Sequence, residues 1–292
     1  MRIPGLGGIP VVELGKRSVR EYTDDDMMTY AAALSYHILF AMVPFLIFMV
    51  ALMGFLRIPQ FFDWLLAQTE TSLPRDVYLR IEEILARFEN SDPSGLLSLG
   101  IAAALWGASA AMRSLMKALN KAYDVEETRA MWKRYLFSVL YTLGFATLLI
   151  TAAVLMVVGP EAIGWLADKA GLGSLFVTLW TWLRWPVAVV LLMLTAAILY
   201  YAAPNVDQPF RIITPGAVIA VLAWTIVSYG YSIYVTNFAH YDAVYGSLAG
   251  ALLLLLYFFI SAQVLLFGAE INAEIYRFTH GRPEPASGDR KV

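Results

Sequence analysis

Residues 244–267 read VYGSLAGALLLLLYFFISAQVLLF and contain no charged side chain. An α-helix rises about 1.5 Å per residue, so about 20 apolar residues cross the hydrocarbon core of a bilayer. A helix on a soluble domain keeps one polar face, whereas this stretch is apolar all round. Two carboxylates, Glu270 and Glu274, follow immediately in GAEINAEI (268–275) and mark where the apolar run ends.

Five further segments of similar character lie upstream. The full set is Tyr30–Leu56, Gly95–Met112, Tyr135–Val158, Trp185–Ala203, Ile212–Val235 and Val244–Phe267. Of 292 residues, 59% are apolar and 15% charged, and the mean hydropathy is +0.63. Soluble domains are nearer half apolar and a quarter charged. The sequence therefore predicts an all-α polytopic integral membrane protein, a bundle of about six transmembrane helices. Pro215 and Gly216 fall near the start of the fifth segment, where a proline costs a helix least. There is no cysteine, which removes disulfides, thiolate nucleophiles and cysteine metal sites.

Charge gives an orientation. Fifteen of the 21 Lys and Arg residues fall in the N-terminal segment, the second-to-third connection, the fourth-to-fifth connection and the C-terminus. The other six are Arg57, Arg75, Arg80, Arg87, Lys169 and Arg184. The positive-inside rule places both termini in the cytoplasm, which requires an even number of crossings. Residues 1–29 carry Glu13, Glu21 and Asp24-Asp25-Asp26, unlike a cleavable signal, so the first span is expected to be an uncleaved anchor. The predicted organisation is a cytoplasmic segment 1–29, a six-helix domain 30–275, and a cytoplasmic tail 276–292, disordered beyond Gly281.

The outer connections carry their own pattern. Val77, Ile81, Ile84, Leu85 and Phe88 share one helical face, preceded by the aromatic patch Phe61, Phe62 and Trp64. Residues 59–92 therefore read as short amphipathic helices at the outer membrane surface, and 161–170 as a smaller version.

Polar groups within the membrane are the candidate pathway residues, since each is costly unless paired or hydrated. In the first segment Tyr30, His37 and Pro44 recur every seven residues; Pro44 deprives the Phe40 carbonyl of its helical donor. His37 fits either a proton or ion relay or a neutral hydrogen-bonding role between helices. In the last segment Gln263, Glu270 and Glu274 form one stripe. The two carboxylates at i and i+4 repel unless a basic residue or cation sits between them, and Arg113, Lys117 or Lys121 would supply that charge. Both a cation or headgroup site and a solvated helix end tied by ion pairs fit this stripe. Gly246 and Gly250 form a GxxxG pattern suited to helix packing or to pairing with a second copy, and residues 100–111 (GIAAALWGASAA) offer a smooth face for close approach.

No catalytic set is complete. Glu82–Arg87 matches the E-E-x-x-x-R string of intramembrane CAAX-type proteases, but no histidine stands in the F-x-x-x-H setting that chemistry needs. The composition offers neither a metal site, nor a cofactor motif, nor a basic nucleic-acid-binding face. The chain is expected not to be an enzyme.

The runs AAALSYHILFAMVP (31–44), LWGASAAMRSLMKALNKAYDVEETR (105–129), YYAAPN (200–205), PGAVIAVLAWTIVSYGYSIYV (215–235) and YGSLAGALLLLLYFFISAQVLLFGAEINAEI (245–275) resemble the YihY/virulence factor BrkB family in order and spacing. The resemblance implies a bacterial inner-membrane protein with six helices and cytoplasmic termini. Members of that family have been linked to solute or ion transport and to lipid handling. The family has also carried a ribonuclease label, which this sequence does not support. His37 stands where the family pattern leads us to expect a plain aromatic or aliphatic residue. The functional expectation is a transporter of lipid or another amphipathic solute, with membrane lipids as partners. The alternatives are a membrane-anchored scaffold binding envelope proteins, or a cation- or proton-coupled transporter.

Overall fold

The computed structural model describes residues 8–55, 93–157, 163, 169, 174–237 and 248–281. The amphipathic segment predicted at 59–92 and Gly246 lie outside the described residues, as does most of 161–170. Seven helices occur among the described residues: α1 (Val11–Asp24), α2 (Met27–Phe55), α3 (Pro93–Ala122), α4 (Met131–Val157), α5 (Ser174–Ala202), α6 (Pro215–Asn237) and α7 (Leu248–His280). Six of them, α2 to α7, contain stretches long and apolar enough to cross a membrane. The chain is an all-α polytopic membrane protein.

Several helices outrun their predicted segments, α3 reaching Ala122 rather than Met112. Helix α5 starts at Ser174 rather than Trp185, so Arg184 lies inside a helix instead of in a connection. The run FVTLWTWL (176–183) already continues the apolar pattern. An arginine within an apolar helix is tolerated where its stem packs along apolar surface; here the Arg184 guanidinium lies 5.4 Å from the Trp185 ring centre. At the other end of the chain α7 runs on to His280, and Gly281 in the left-handed region (φ 84°) stops it. Arg277, counted above with the tail, is therefore a helical residue.

The chain forms two compact units, one of Met1–Tyr36 with Met112–Val292 and one of His37–Ala111. In the smaller unit α2 runs unbroken past Pro44, and the small residues of α3 face it. A Cβ added at Gly100 would lie 3.0 Å from Phe48 Cα, and one at Gly107 would lie 3.2 Å from Ala41 Cα and 3.7 Å from Pro44 Cγ. The smooth face read from 100–111 is thus a helix–helix seam, closed by dispersion between near-touching backbones.

In the larger unit α4 packs on α5, α5 on α6, α6 on α7 and α7 on α1. Within a bilayer, hydrogen bonds between helices replace much of the hydrophobic drive. Along the α6–α7 seam Trp224 Nε1 donates to Ser261 Oγ at 3.2 Å, and the Tyr231 hydroxyl donates to the Leu253 carbonyl at 2.7 Å. The tightest approach is glycine on glycine. A methyl group at Gly268 would meet Tyr200 Oη at 2.5 Å and the Gly216 carbonyl at 2.7 Å. The Tyr200 hydroxyl, buried in this notch, donates to the Leu265 carbonyl at 2.6 Å.

Helix α1 is amphipathic. It has Glu13 in its first turn, where negative charge suits the helix dipole, and an Arg17–Glu13 pair at 2.8 Å on its exposed face. Its other face places Leu14 against Ile271 and Ile275 of α7, with Ile9 and Phe267 completing the cluster. This apolar anchor brings Ser18, Glu21, Tyr22 and Asp25 to the end of α7.

Candidate functional site

Four carboxylates converge on the single guanidinium of Arg277. Its Nε donates to Glu274 Oε1 at 2.7 Å and its Nη1 to Asp124 Oδ2 at 2.6 Å, while Glu270 and Glu21 stand 3.6 and 3.7 Å from Nη2. Nη1 also donates to the Ala122 carbonyl at 3.2 Å. Glu270 is 0% exposed, and neither of its oxygens has a hydrogen-bond partner among the described residues. A second pair, Lys121 Nζ to Asp25 Oδ1 at 3.0 Å, flanks the cluster.

Local backbone chemistry sets these positions. Helix α3 ends in a Schellman motif: Val125 N–H donates to the Asn120 carbonyl and Asp124 N–H to the Lys121 carbonyl, both at 3.0 Å. Asp124 occupies the left-handed position (φ 53°) that glycine usually fills. Aspartate tolerates that region better than most residues, and here its carboxylate meets Arg277. Asp26, with φ 52°, turns the chain between α1 and α2 in a similar way.

Burial outweighs pairing on the α1 side. Asp25 titrates above its ordinary range because desolvation exceeds the pull of Lys121, and Glu21 is raised by burial despite Arg277. The Tyr22 hydroxyl is pushed up to about 12, first by burial and then by the charge of Glu270.

A polar lock beside the cluster ties two connections together. Asn120 Oδ1 accepts from Asn205 N–H at 2.7 Å, while its Nδ2 donates to Glu127 at 3.0 Å. Glu127 also accepts from Arg129 Nε at 2.7 Å, and Arg129 donates onward to the Ala203 carbonyl at 2.9 Å. Asn205, 3% exposed, donates to Thr128 Oγ1 at 2.8 Å and to the Glu126 carbonyl at 3.1 Å. The α3–α4 connection is thereby fixed to the α5–α6 connection.

Over this platform lies a cavity of about 290 Å³ between the ends of α5, α6 and α7, lined by Tyr201, Gln208, Arg211, Asn272, Tyr276 and His280 among others. Asn272 accepts from Gly216 N–H at 2.9 Å and donates to Thr214 Oγ1 at 3.0 Å, which fixes the start of α6 in the wall. The Tyr276 ring stacks on His280 at 4.8 Å between centres. Phe210, Ile212 and Ile213, flanking the lining residue Arg211 in sequence, are exposed by 45%, 58% and 69%.

The residues singled out by sequence scatter over these features. Glu270 and Glu274 sit together, but the cation between them is Arg277 from their own helix. Arg113 instead donates to the buried Ser138 hydroxyl at 3.2 Å and stacks 4.4 Å from the Tyr135 ring centre. Lys117 is exposed and Lys121 serves Asp25. Gln263 lines a separate cavity of about 230 Å³ with Tyr22 and Phe267. His37 and Pro44 are half-buried in α2, in the smaller unit. No described residue comes within 4 Å of a Cβ built on Gly250; close glycine packing occurs at Gly216 and Gly268. Among the described residues, no group of three or more His, Asp or Glu side chains is placed to hold a metal ion. Sequence reasoning missed Arg277, Asp124, Asn120, Asn205 and Arg211. The Asn120, Asp124 and Asn205 positions were nevertheless inside runs that carried the resemblance.

Residues 18–291 match the virulence factor BrkB family. A ribonuclease-like protein, YfkH, of Bacillus subtilis (strain 168) is 38% identical over 263 residues, covering 90% of this chain and 94% of the relative. A UPF0761 membrane protein of Xanthomonas oryzae pv. oryzae (strain PXO99A) is 26% identical over 285 residues, covering 94% of this chain and 63% of its own length. Another from Xanthomonas campestris pv. campestris (strain 8004) is 26% identical over 281 residues, with 91% and 61% covered. The chain thus spans less than two thirds of the Xanthomonas relatives. No solved structure matches it. With the match running from within α1 to beyond the end of α7, the chain belongs to the virulence factor BrkB family.

Proposed function

We propose that this protein moves a lipid or another amphipathic solute across the bacterial inner (plasma) membrane. The observation that carries the reading is the cavity between α5, α6 and α7, whose largely apolar wall also presents Arg211, Asn272 and His280. At about 290 Å³ it sits at the lower end of ligand cavities and suits a headgroup or small polar moiety. Arg211 in its wall favours an anionic one, and the exposed Phe210, Ile212 and Ile213 offer surface for an attached apolar chain. The excess of basic residues near both termini and in the second-to-third connection supports placing this end of the molecule in the cytoplasm. The ribonuclease-like name of the Bacillus protein describes that relative.

The test is flux in liposomes holding the purified full chain. Labelled phospholipid should move faster than in empty vesicles, and Arg211→Ala or Asn272→Ala should slow it while insertion stays normal. If neither lipid, protons nor cations move above the background of empty vesicles, the transport reading fails.

A further inference from the structure

The proposed cavity makes no use of Glu270, the least accessible carboxylate described. It is fully buried, and both its oxygens lack hydrogen-bond donors among the described residues. Its nearest cationic contact is Arg277 Nη2 at 3.6 Å, beyond hydrogen-bond length. The guanidinium's Nε and Nη1 are committed to Glu274 at 2.7 Å and Asp124 at 2.6 Å, and Nη2 itself has no hydrogen-bond partner among the described residues. An ionised carboxylate so placed would have lost its hydration and received nothing direct in return, at a cost no distant pair offsets.

The surroundings are also short of positive charge. Arg277 faces Glu21, Asp124, Glu270 and Glu274, and Lys121 is taken up by Asp25. One guanidinium cannot neutralise four carboxylates, and like charges this close do not all ionise. The group with least hydration and no donor is the one that takes up a proton. Independent signs lie on the elements packed against α7. Asp25 is 6% exposed and its Oδ2 has no partner, while the Tyr22 hydroxyl, on which Glu270 acts electrostatically, is likewise unpartnered. Tyr123, fully buried at the end of α3, also lies within the reach of the Glu270 charge.

We propose that Glu270 is a proton-binding site, holding its carboxyl protonated in this structure beside an Arg277 bonded to Glu274 and Asp124. The step balances simply: loss of the proton to solvent leaves a carboxylate that draws in the unpartnered Arg277 Nη2, and its return releases that hold. Proton occupancy of α7 is thereby coupled to the tie between α7, α1 and the α3–α4 turn. The inference stands on the cluster alone and does not depend on the cavity carrying a solute.

The experiment is infrared difference spectroscopy of the full chain in nanodiscs, between neutral and strongly alkaline pH, in water and in deuterium oxide. The wild type should show a deuterium-sensitive carboxylic-acid carbonyl band that vanishes on alkalinisation. Glu270→Gln should lack it, Glu270→Asp should shift it, and Glu274→Gln should retain it. Apparent melting adds a second reading. Glu270→Gln, a neutral mimic of the protonated acid, should melt at or above the wild-type temperature, whereas Glu274→Gln should lose several degrees. A band unaltered by Glu270→Gln would overturn the proposal. So would a Glu270→Gln loss of stability equal to that of Glu274→Gln, the signature of an ionised, paired carboxylate. Quenching of the band by sodium at fixed pH would also overturn it, in favour of a metal-cation site. Should Glu270→Gln fail to fold, the wild type and Glu270→Asp decide, since absence of an aspartate-shifted band would refute the assignment.

Discussion

Arg277 donates to Asp124 at 2.6 Å across 153 positions of sequence, tying the last turn of α7 to the residue that ends α3. Asp124 holds the left-handed backbone position of a Schellman motif, so one residue serves as both helix terminator and ion-pair partner. The two roles are separable. Asp124→Asn keeps a side chain that accepts this backbone and removes only the charge, which should cost about 1 kcal/mol. Asp124→Gly removes the charge but eases the backbone, so it should cost no more than Asp124→Asn. Chemical unfolding of the two variants in detergent checks the order.

Gly268, like its neighbour Gly216, has no room for a side chain. Gly268→Ala must displace the Tyr200 hydroxyl and the Gly216 carbonyl, and overpacking of this kind costs about 1–3 kcal/mol. Tyr200→Phe deletes only the bond to the Leu265 carbonyl, about 1 kcal/mol. The double variant should recover part of the Gly268→Ala loss, because the hydroxyl in the way is gone. A double-mutant cycle on unfolding free energies measures that coupling.

Asn205→Ala removes the donations to Thr128 and to the Glu126 carbonyl but leaves its own N–H bonded to Asn120. Two lost bonds at a buried site should cost about 1–3 kcal/mol. The loss should appear locally, as faster hydrogen exchange in 123–130 and 203–214, with the α6–α7 seam unaffected.

Docking of α1 should depend on pH with a definite sign. Glu21 and Asp25 titrate above their ordinary values of 4.5 and 3.8, so the docked state binds more protons than the undocked one. Docking is therefore strongest below those ordinary values and weakens as pH rises through the raised ones. Hydrogen exchange in Val11–Asp24, corrected for intrinsic rates, should show more protection at mildly acidic pH than at neutral. Glu21→Gln with Asp25→Asn should flatten the profile.

The membrane-spanning design was legible in the sequence because it rests on composition. Residues 244–267 carry no charge, and a chain that buries such a run in lipid must satisfy its backbone internally as a helix. The stripe of Glu270 and Glu274 was legible too, since helical spacing alone puts residues four apart on one face. What answers that stripe was not. Local pattern offered Arg113, Lys117 and Lys121 as equals, and only packing showed Arg113 turned to Ser138 and Tyr135 and Lys121 given to Asp25. Arg277 lies beyond the point where hydropathy falls off, although the helix continues past it. Likewise Gly246 and Gly250 had the familiar letters, yet the glycine contact described is between Gly216 and Gly268, 52 positions apart. Hydropathy and periodicity are properties of neighbours along the chain, so the sequence determined which segments enter the membrane and which face of each is polar. Which charge meets which carboxylate depends on distances of a few ångströms between helices remote in sequence, and that was decided by the tertiary structure.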